Sequence, residues 1–386
     1  MKKSAATQLF IPLSLGGVEI PNRIVISPMC QYSASEGIVN DWHLVQLGRY
    51  ALGGAGMVFA EASAVTRDGR ITHGDLGIWS DRHIPGLRRL ASFLSQQGSV
   101  PAIQLAHAGR KGSAARPWEG GAPLSASNNY PGEPSWPTVS AGDKPLAHQD
   151  SPPSRLTIAE MKALKNDYVK AAKRALLAGF KVIELHCGHG YLLHQFLSPL
   201  SNNRQDTYGG SLANRCSYPL EIAAALRESL PNHTALLVRI SAVDGHEDGW
   251  NLQDSIYFGC RLKEAGVNMI DCSSGGIAGS ATTNGISRGY GFQVPFAEAI
   301  RQAVEIPTMA VGLIVDAVQA EEILKRGQAD LIAIAREALV NPHWALHAEQ
   351  QLNPQAGFER WPQQVRGWLD NRARTLYKLS KASIES

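Results

Sequence analysis

His186 and His189, three residues apart, and Tyr191 two residues further on have the types and spacing for joint chemistry. An imidazole donates an N–H bond and a phenol carries a transferable proton. Together they can hold a carbonyl or another electron-rich oxygen and deliver a proton close by. Two other readings fit the same residues. A histidine near a strand end often serves only structure, and H-x-x-H with Cys187 between can be half of a metal site.

Residues 181–185, just before this group, have the composition of a buried strand, and a helical pattern resumes at Leu192. A strand that ends in titratable side chains and turns into a helix is how a β/α barrel presents chemistry at its rim. The rest of the chain repeats that unit. Apolar strand-like runs at 23–29, 56–60, 101–105, 181–185, 235–240, 267–271, 307–312 and 329–334 alternate with longer helical patterns. Eight units with strands apolar throughout predict a parallel (β/α)8 TIM barrel in the α/β class, one domain over 1–386. A doubly wound sheet is the alternative. It would place G-x-G-x-x-G after the first strand, where this chain has Pro28-Met-Cys-Gln-Tyr32.

Residues 13–20 predict a hairpin around Gly16 and Gly17 that plugs the barrel floor. A Gly-, Pro-, Ser- and Trp-rich excursion after the third strand, 109–153, reads as a lid and ends at the capping box Thr157-Ile-Ala-Glu160. A tail over 353–386 carries Trp361, Arg366 and Trp368 and is expected to pack on its own barrel or on a neighbour's.

Composition excludes several classes. Hydrophobic residues are 44% of 386, charged residues 18%, and the net charge of +3 has no basic block, so no nucleic-acid partner is expected. Five cysteines without a C-x-x-C pair argue against a disulfide framework, an iron–sulfur cluster or a zinc ribbon, and for a reducing compartment. The apolar run after Lys2 and Lys3 is short and broken by Pro12, so no signal peptide is read, and no run is long enough to span a membrane. A cytoplasmic protein with no membrane partner is the expectation.

In a barrel the C-terminal strand ends share one cavity. They deliver Pro28, Met29, Cys30 and Tyr32; Glu61 and Ala62; Gln104 and His107; His186, His189 and Tyr191; Arg239; Ser273; Gly312; and Arg336. A glycine after the seventh strand with an arginine after the eighth can bind phosphate, since backbone N–H groups approach closely and the guanidinium binds in bidentate fashion. Gln104 can donate and accept along a flat ligand's edge. Arg239 would place positive charge beneath such a ligand or form an inward ion pair with Glu184 or Asp271.

Several long motifs, in order, make the chain resemble the Old Yellow Enzyme family of ene-reductases. They are Ser27-Pro-Met-Cys30, Gln104-Leu-Ala-His-Ala-Gly-Arg-Lys111, His186-x-x-His189-Gly-Tyr191, Asn203-Arg-x-Asp-x-Tyr-Gly-Gly-Ser211 and Val238-Arg-Ile-Ser241. Cys30 and Arg366-Gly-Trp368 make it most similar to the thermophilic-like, or xenobiotic reductase, branch. The resemblance implies FMN held by Pro28, Met29, Cys30, Ala62, Gln104, Arg239, Gly312 and Arg336, with NADPH or NADH as reductant. It implies His186 and His189 on the oxygen of an activated alkene, Tyr191 as proton donor and Tyr32 lining the pocket, with hydride transfer from the flavin N5 in ping-pong turnover. It further implies a homodimer or homotetramer in which Arg366 reaches a neighbouring site, and no metal. The chain departs from the family pattern at Cys187-Gly188, at Ala335 before Arg336, and in the run 361–366.

Overall fold

In the computed structural model the described residues are 7–125, 132–146, 152–278 and 285–382. Lys2 and Lys3, the parts 126–131 and 147–151 of the expected lid, and the tail's last four residues lie outside them. Eight parallel strands close into a barrel: β1 (Ile24–Ile26), β2 (Met57–Ala64), β3 (Val100–Ala106), β4 (Val182–Cys187), β5 (Ala235–Ser241), β6 (Met269–Ser273), β7 (Thr308–Val311) and β8 (Leu331–Ile334). Each pairs with its sequence neighbours, and β8 pairs with β1. This is the expected TIM barrel. The main helices around it are α1 (Asp41–Leu52), α2 (Ile84–Gln96), α3 (Ile158–Ala178), α4 (Leu192–Leu197), α5 (Leu212–Ser229), α6 (Leu252–Glu264), α7 (Val294–Val304), α8 (Ala317–Lys325), α9 (Arg336–Val340), α10 (Trp344–Leu352) and α11 (Gln363–Ala382). No helix among the described residues is long and apolar enough to cross a membrane.

Strand alternation divides the core in two. Side chains pointing inward, among them Val25, Met57, Phe59, Ala102, Val182, Leu237, Met269, Met309 and Leu331, fill the lower barrel as one buried cluster. Those pointing outward, such as Ile183, Leu185 and Cys187, join the helix layer. Each fully buried Leu, Ile or Phe contributes roughly 1.5–3 kcal/mol, so the two layers outweigh any single polar contact at the rim.

The hairpin, Leu13–Leu15 paired with Val18–Ile20, packs Leu15, Val18 and Ile20 into the inner cluster and closes the floor as the sequence predicts. Its turn needs glycine, because Gly16 and Gly17 have φ of 53° and 78° and a Cβ on Gly17 would sit 2.9 Å from His233 Cα. The capping box forms too: Thr157 accepts from the Glu160 N–H and the Glu160 carboxylate accepts from the Thr157 N–H at 2.8 Å.

Three boundaries differ from the sequence reading in ways that matter: β2 runs past Ala60 to Ala64, so Glu61 and Ala62 lie within it, and two others follow the same pattern. β4 continues past Leu185 to Cys187, and β6 runs on to Ser273 rather than stopping at Asp271. Polar residues were read as strand ends, but the upper barrel layers are themselves polar. Within the excursion after β3, Val139–Ser140 pairs with Ser154–Arg155 just beyond its end in a small two-stranded sheet, which pattern alone does not predict.

Candidate active site

Period-two alternation carries β4 from Val182 through Glu184 to His186 on the inner face, while Cys187 turns outward into the helix layer. The half-metal-site reading fails on this geometry, since Cys187 and His186 occupy opposite faces of one strand.

The first polar layer above the apolar floor joins β3, β4, β5 and β6. Gln104 and Glu184 are register partners, and Gln104 Nε2 donates to Glu184 Oε1 at 2.8 Å. Arg239 faces His186 across one strand pair and Asp271 across the next. Its Nε lies 3.2 Å from Asp271 Oδ2 and its Nη1 donates to Ser27 Oγ at 2.9 Å. The inward ion pair is therefore present, and Arg239 still lines the cavity above it. Burial, then the proximity of Asp271, pushes Glu184 up to about 8, against the pull of Arg239 and Gln104. Burial raises Asp271 as well, opposed by Arg239. Asp271 holds the guanidinium contact and Glu184 does not, so Glu184 keeps its proton at neutral pH.

The next layer is the rim. The ring centroids of His186 and His189 are 5.1 Å apart at 87°, and those of His186 and Tyr191 are 5.1 Å apart at 70°. The Gly188 N–H donates to His186 Nδ1 at 3.2 Å, which leaves the proton of the neutral ring on Nε2. Burial, then Arg239, depresses both histidines well below the ordinary imidazole value, so both are neutral donors at physiological pH. Burial, then Cys30 and Asp75, raises the Tyr191 phenol, which stays protonated. His189 occupies the left-handed region with φ of 57°, where histidine is less disfavoured than branched residues. Gly190 follows at φ 73°, and a Cβ there would collide with the Gly276 carbonyl.

Two cavities open at this end. One of about 300 Å³ is lined by Arg239, Ser273, Gln293, Gly312, Arg336 and Arg288, among others. A second of about 360 Å³ is lined by Tyr32, Tyr191, Lys111, Ile71, Pro117 and Leu146, among others. Ala62 and Tyr191 share a narrow pocket. Pro28, Met29 and Cys30 follow β1 after the buried Ser27 and are half-buried. Burial, with Glu61 and Asp75, raises the Cys30 thiol, which bonds to Tyr32. Glu61 holds this loop by accepting the Gln31 N–H at 3.0 Å. His107 is buried and accepts the Gly109 N–H at 3.0 Å, a local structural role. Arg366 is the one candidate not brought to the site within this chain. It lies in α11, where its Nη2 donates to the carbonyls of Glu359 and Trp361.

Sequence reasoning missed the supports. Lys111 Nζ donates to the carbonyls of His189 and Gly276 at 2.7 and 2.5 Å and sits 5.5 Å from the Tyr191 ring centre. Burial, then Arg110, pulls this lysine down to about 7. Behind the rim, His194 Nε2 lies 2.9 Å from Asp244 Oδ1 in full burial, while the Gly190 N–H donates to His194 Nδ1 at 2.8 Å. Asp244 also accepts from Ser198 Oγ and the Trp250 N–H. Burial alone would raise this carboxyl, but His194, Ser198 and Trp250 together pull it below its ordinary value. The available signal was a second histidine at the i+5 position from His189, on the first turn of a helix otherwise apolar at that face.

A closed barrel with cationic and glycine-lined cavities beside a histidine pair is the architecture of a flavin oxidoreductase, and comparison with known proteins agrees. Residues 8–355 match the profile of the NADH:flavin oxidoreductase / NADH oxidase family, and the chain belongs to that family, in its Old Yellow Enzyme branch. It is 43% identical to an NADPH dehydrogenase of Geobacillus sp. (strain WCH70) over 94% of this chain and 99% of the relative. It is 41% identical to the NADPH dehydrogenase of Bacillus subtilis (strain 168) over 94% of this chain and all, 100%, of that protein. Among solved structures, morphinone reductase superposes with a TM-score of 0.74 at 23% identity, covering 90% of each chain. 2-Naphthoyl-CoA reductase gives a TM-score of 0.78 at 22% identity, with 90% of this chain covering 52% of that longer one. These two show the shared fold. The protein is an FMN-dependent oxidoreductase that takes electrons from a reduced nicotinamide.

Proposed function

We propose that the protein reduces the C=C bond of activated alkenes, namely α,β-unsaturated carbonyls and nitroalkenes, with NADPH as electron source in a ping-pong cycle. The observation that carries this reading is the trio of His186, His189 and Tyr191: two neutral imidazoles and a protonated phenol, each 5.1 Å from His186 or its ring neighbour, at the barrel rim. The relatives named NADPH dehydrogenases support NADPH over NADH.

The residues present fit FMN. Gln104 gives its Nε2 to Glu184, while its carbonyl oxygen has no hydrogen-bond partner among the described residues and suits an N–H on a pyrimidine edge. Arg336 forms no ion pair among the described residues and borders the same cavity as Gly312, as a phosphate requires. Arg239, its charge tempered by Asp271, would supply fixed positive charge to the flavin. Pro28, Met29, Cys30 and Ala62 complete the cradle. When bound, FMN supplies the hydride, received from the nicotinamide and given to the β-carbon.

The chain's own residues do the rest. His186 and His189 donate to the activating oxygen, and these bonds strengthen as negative charge gathers there, so they lower the barrier more than they tighten ground-state binding. Tyr191 gives its proton to the α-carbon, which completes addition of one hydride and one proton across the double bond. Tyr32 lines the substrate side. Nicotinamide and alkene use one face in turn, which is the origin of the ping-pong pattern. Arg366 reaches the site of a neighbouring subunit in a homodimer or homotetramer, a reading supported by the exposed Val365 and Trp368 beside it.

The test is NADPH consumption with 2-cyclohexenone. The purified protein turns over, and His186→Ala and Tyr191→Phe fall by an order of magnitude or more. Equal turnover in all three contradicts the assignment.

A further inference from the structure

Gly188 settles which nitrogen of His186 carries the proton, and no backbone contact among the described residues does the same for His189. The His189 N–H donates to Ser241 Oγ at 2.8 Å, and Ser241 passes its own proton to the Gly275 carbonyl at 2.7 Å. Lys111 holds the His189 carbonyl at 2.7 Å. These bonds fix where the residue sits but leave its ring tautomer open. The ring's own partner is Ser273, whose Oγ lies 2.7 Å from His189 Nε2.

Ser273 has one proton and two acceptors within reach, His189 Nε2 at 2.7 Å and Gln293 Oε1 at 3.3 Å. Gln293 is fixed in orientation, because its Nε2 donates to the Val311 carbonyl at 2.9 Å, an atom that can only accept. Its Oε1 already receives the Ser274 hydroxyl at 2.6 Å. The nearer and less satisfied acceptor for Ser273 is the imidazole.

We infer that Ser273 is a positioning residue: its hydroxyl donates to His189 Nε2 and thereby assigns the ring's proton to Nδ1. The inference rests on the proposed reading that both histidines hold the substrate's oxygen. His186 then offers its proton from Nε2 and His189 from Nδ1, so two rings set at 87° present donors from chemically different nitrogens. Without the hydroxyl, His189 would revert to the Nε2–H form that free histidine favours, and Nδ1 would turn a lone pair toward an incoming oxygen. Because both rings are neutral at physiological pH, the tautomer and not the charge decides whether the site attracts or repels that oxygen.

Holoenzyme labelled with 15N-histidine, read by long-range 1H–15N correlation at pH 8, tests this, with His189→Gln used to assign the resonance. His189 is expected to show a protonated Nδ1 and a bare Nε2, with His186 the reverse. Ser273→Ala should move His189 toward the Nε2–H form and weaken 4-hydroxybenzaldehyde, followed by its charge-transfer band, by about tenfold, the worth of one hydrogen bond. Ser273→Thr keeps the hydroxyl and should restore both. A protonated Nε2 on His189 in the parent holoenzyme overturns the inference without any variant, and so does an unchanged tautomer in Ser273→Ala. If 4-hydroxybenzaldehyde binds yet moves neither ring's resonances, the proposed role of the histidines fails first and takes this purpose for Ser273 with it. That outcome is distinct from a wrong tautomer.

Discussion

Gln104 donates its amide proton to Glu184 at 2.8 Å across one pair of register-matched strands. The bond makes an acid one layer below the rim the fixed point for the Gln104 amide. Glu184 can serve only if it stays inside the barrel uncharged, and its raised value of about 8 has that consequence.

The sign of the pH dependence follows. An unfolded glutamate releases its proton near ~4.3, the folded one near about 8. Between those values the folded state binds more protons, so this group's contribution is full below the window and is lost as pH rises through it. Glu184→Gln should therefore gain thermal stability relative to the parent as pH rises from 5 to 8, by on the order of 1–3 °C. A melting-temperature gap that is flat or reversed across that range would show the acid to be ionised in the fold.

Gly312 and Arg336 share one end of a cavity, and on the proposed reading cofactor retention depends on that end. Arg336→Ala should weaken FMN by roughly ten- to a hundredfold, the loss of about 1.5–3 kcal/mol of charge-assisted bonding. Gly312→Ala should do more. Its φ of 117° is unsuited to a side chain, and its Cβ would fall 2.6 Å from Gln293 Nε2. Flavin remaining after dialysis, with titration of added FMN, measures both.

Behind the rim, Asp244→Ala would strand His194 in full burial and free the Gly190 N–H clamp ahead of Tyr191. Urea titration should register a loss of about 1–3 kcal/mol, the cost of a buried donor left without its acceptor. A loss under about 1 kcal/mol would mean that the pair does not brace the turn.

How much of this was legible beforehand follows from what the residues do. The barrel was readable because strands buried on both faces are apolar runs, and the hairpin because two adjacent glycines mark a tight turn. Reading β4 to end at Leu185 failed because its inner face turns polar at Glu184 while its outer face stays apolar through Cys187, a mixture that resembles neither a buried strand nor a loop. His186, His189 and Tyr191 stood out as titratable groups after an apolar run. Ser273, Gln293, Lys111 and the His194–Asp244 pair were unremarkable as types and act only through contacts between segments far apart in the chain. Arg239 was legible as a charge but not as one shared between the cavity and Asp271, since the choice depends on strand register.

The histidine pair gives a graded prediction. His186→Ala should raise the enone concentration needed for half-maximal rate and lower kcat/KM by about ten- to a hundredfold, the loss of a bond worth ~1.5–3 kcal/mol to developing charge. Reduction by NADPH in the absence of enone should change less. Steady-state kinetics with 2-cyclohexenone separates the two.

The most direct measurement is stopped-flow mixing of the NADPH-reduced protein with 2-cyclohexenone, watching the flavin absorbance return in the parent and in Tyr191→Phe. The account predicts rapid reoxidation in the parent, reoxidation slowed by about 10²–10⁴-fold in the variant, and equal rates of the preceding reduction in both. A parent that stays reduced in the presence of enone, or a variant that reoxidises at the parent's rate, would contradict it.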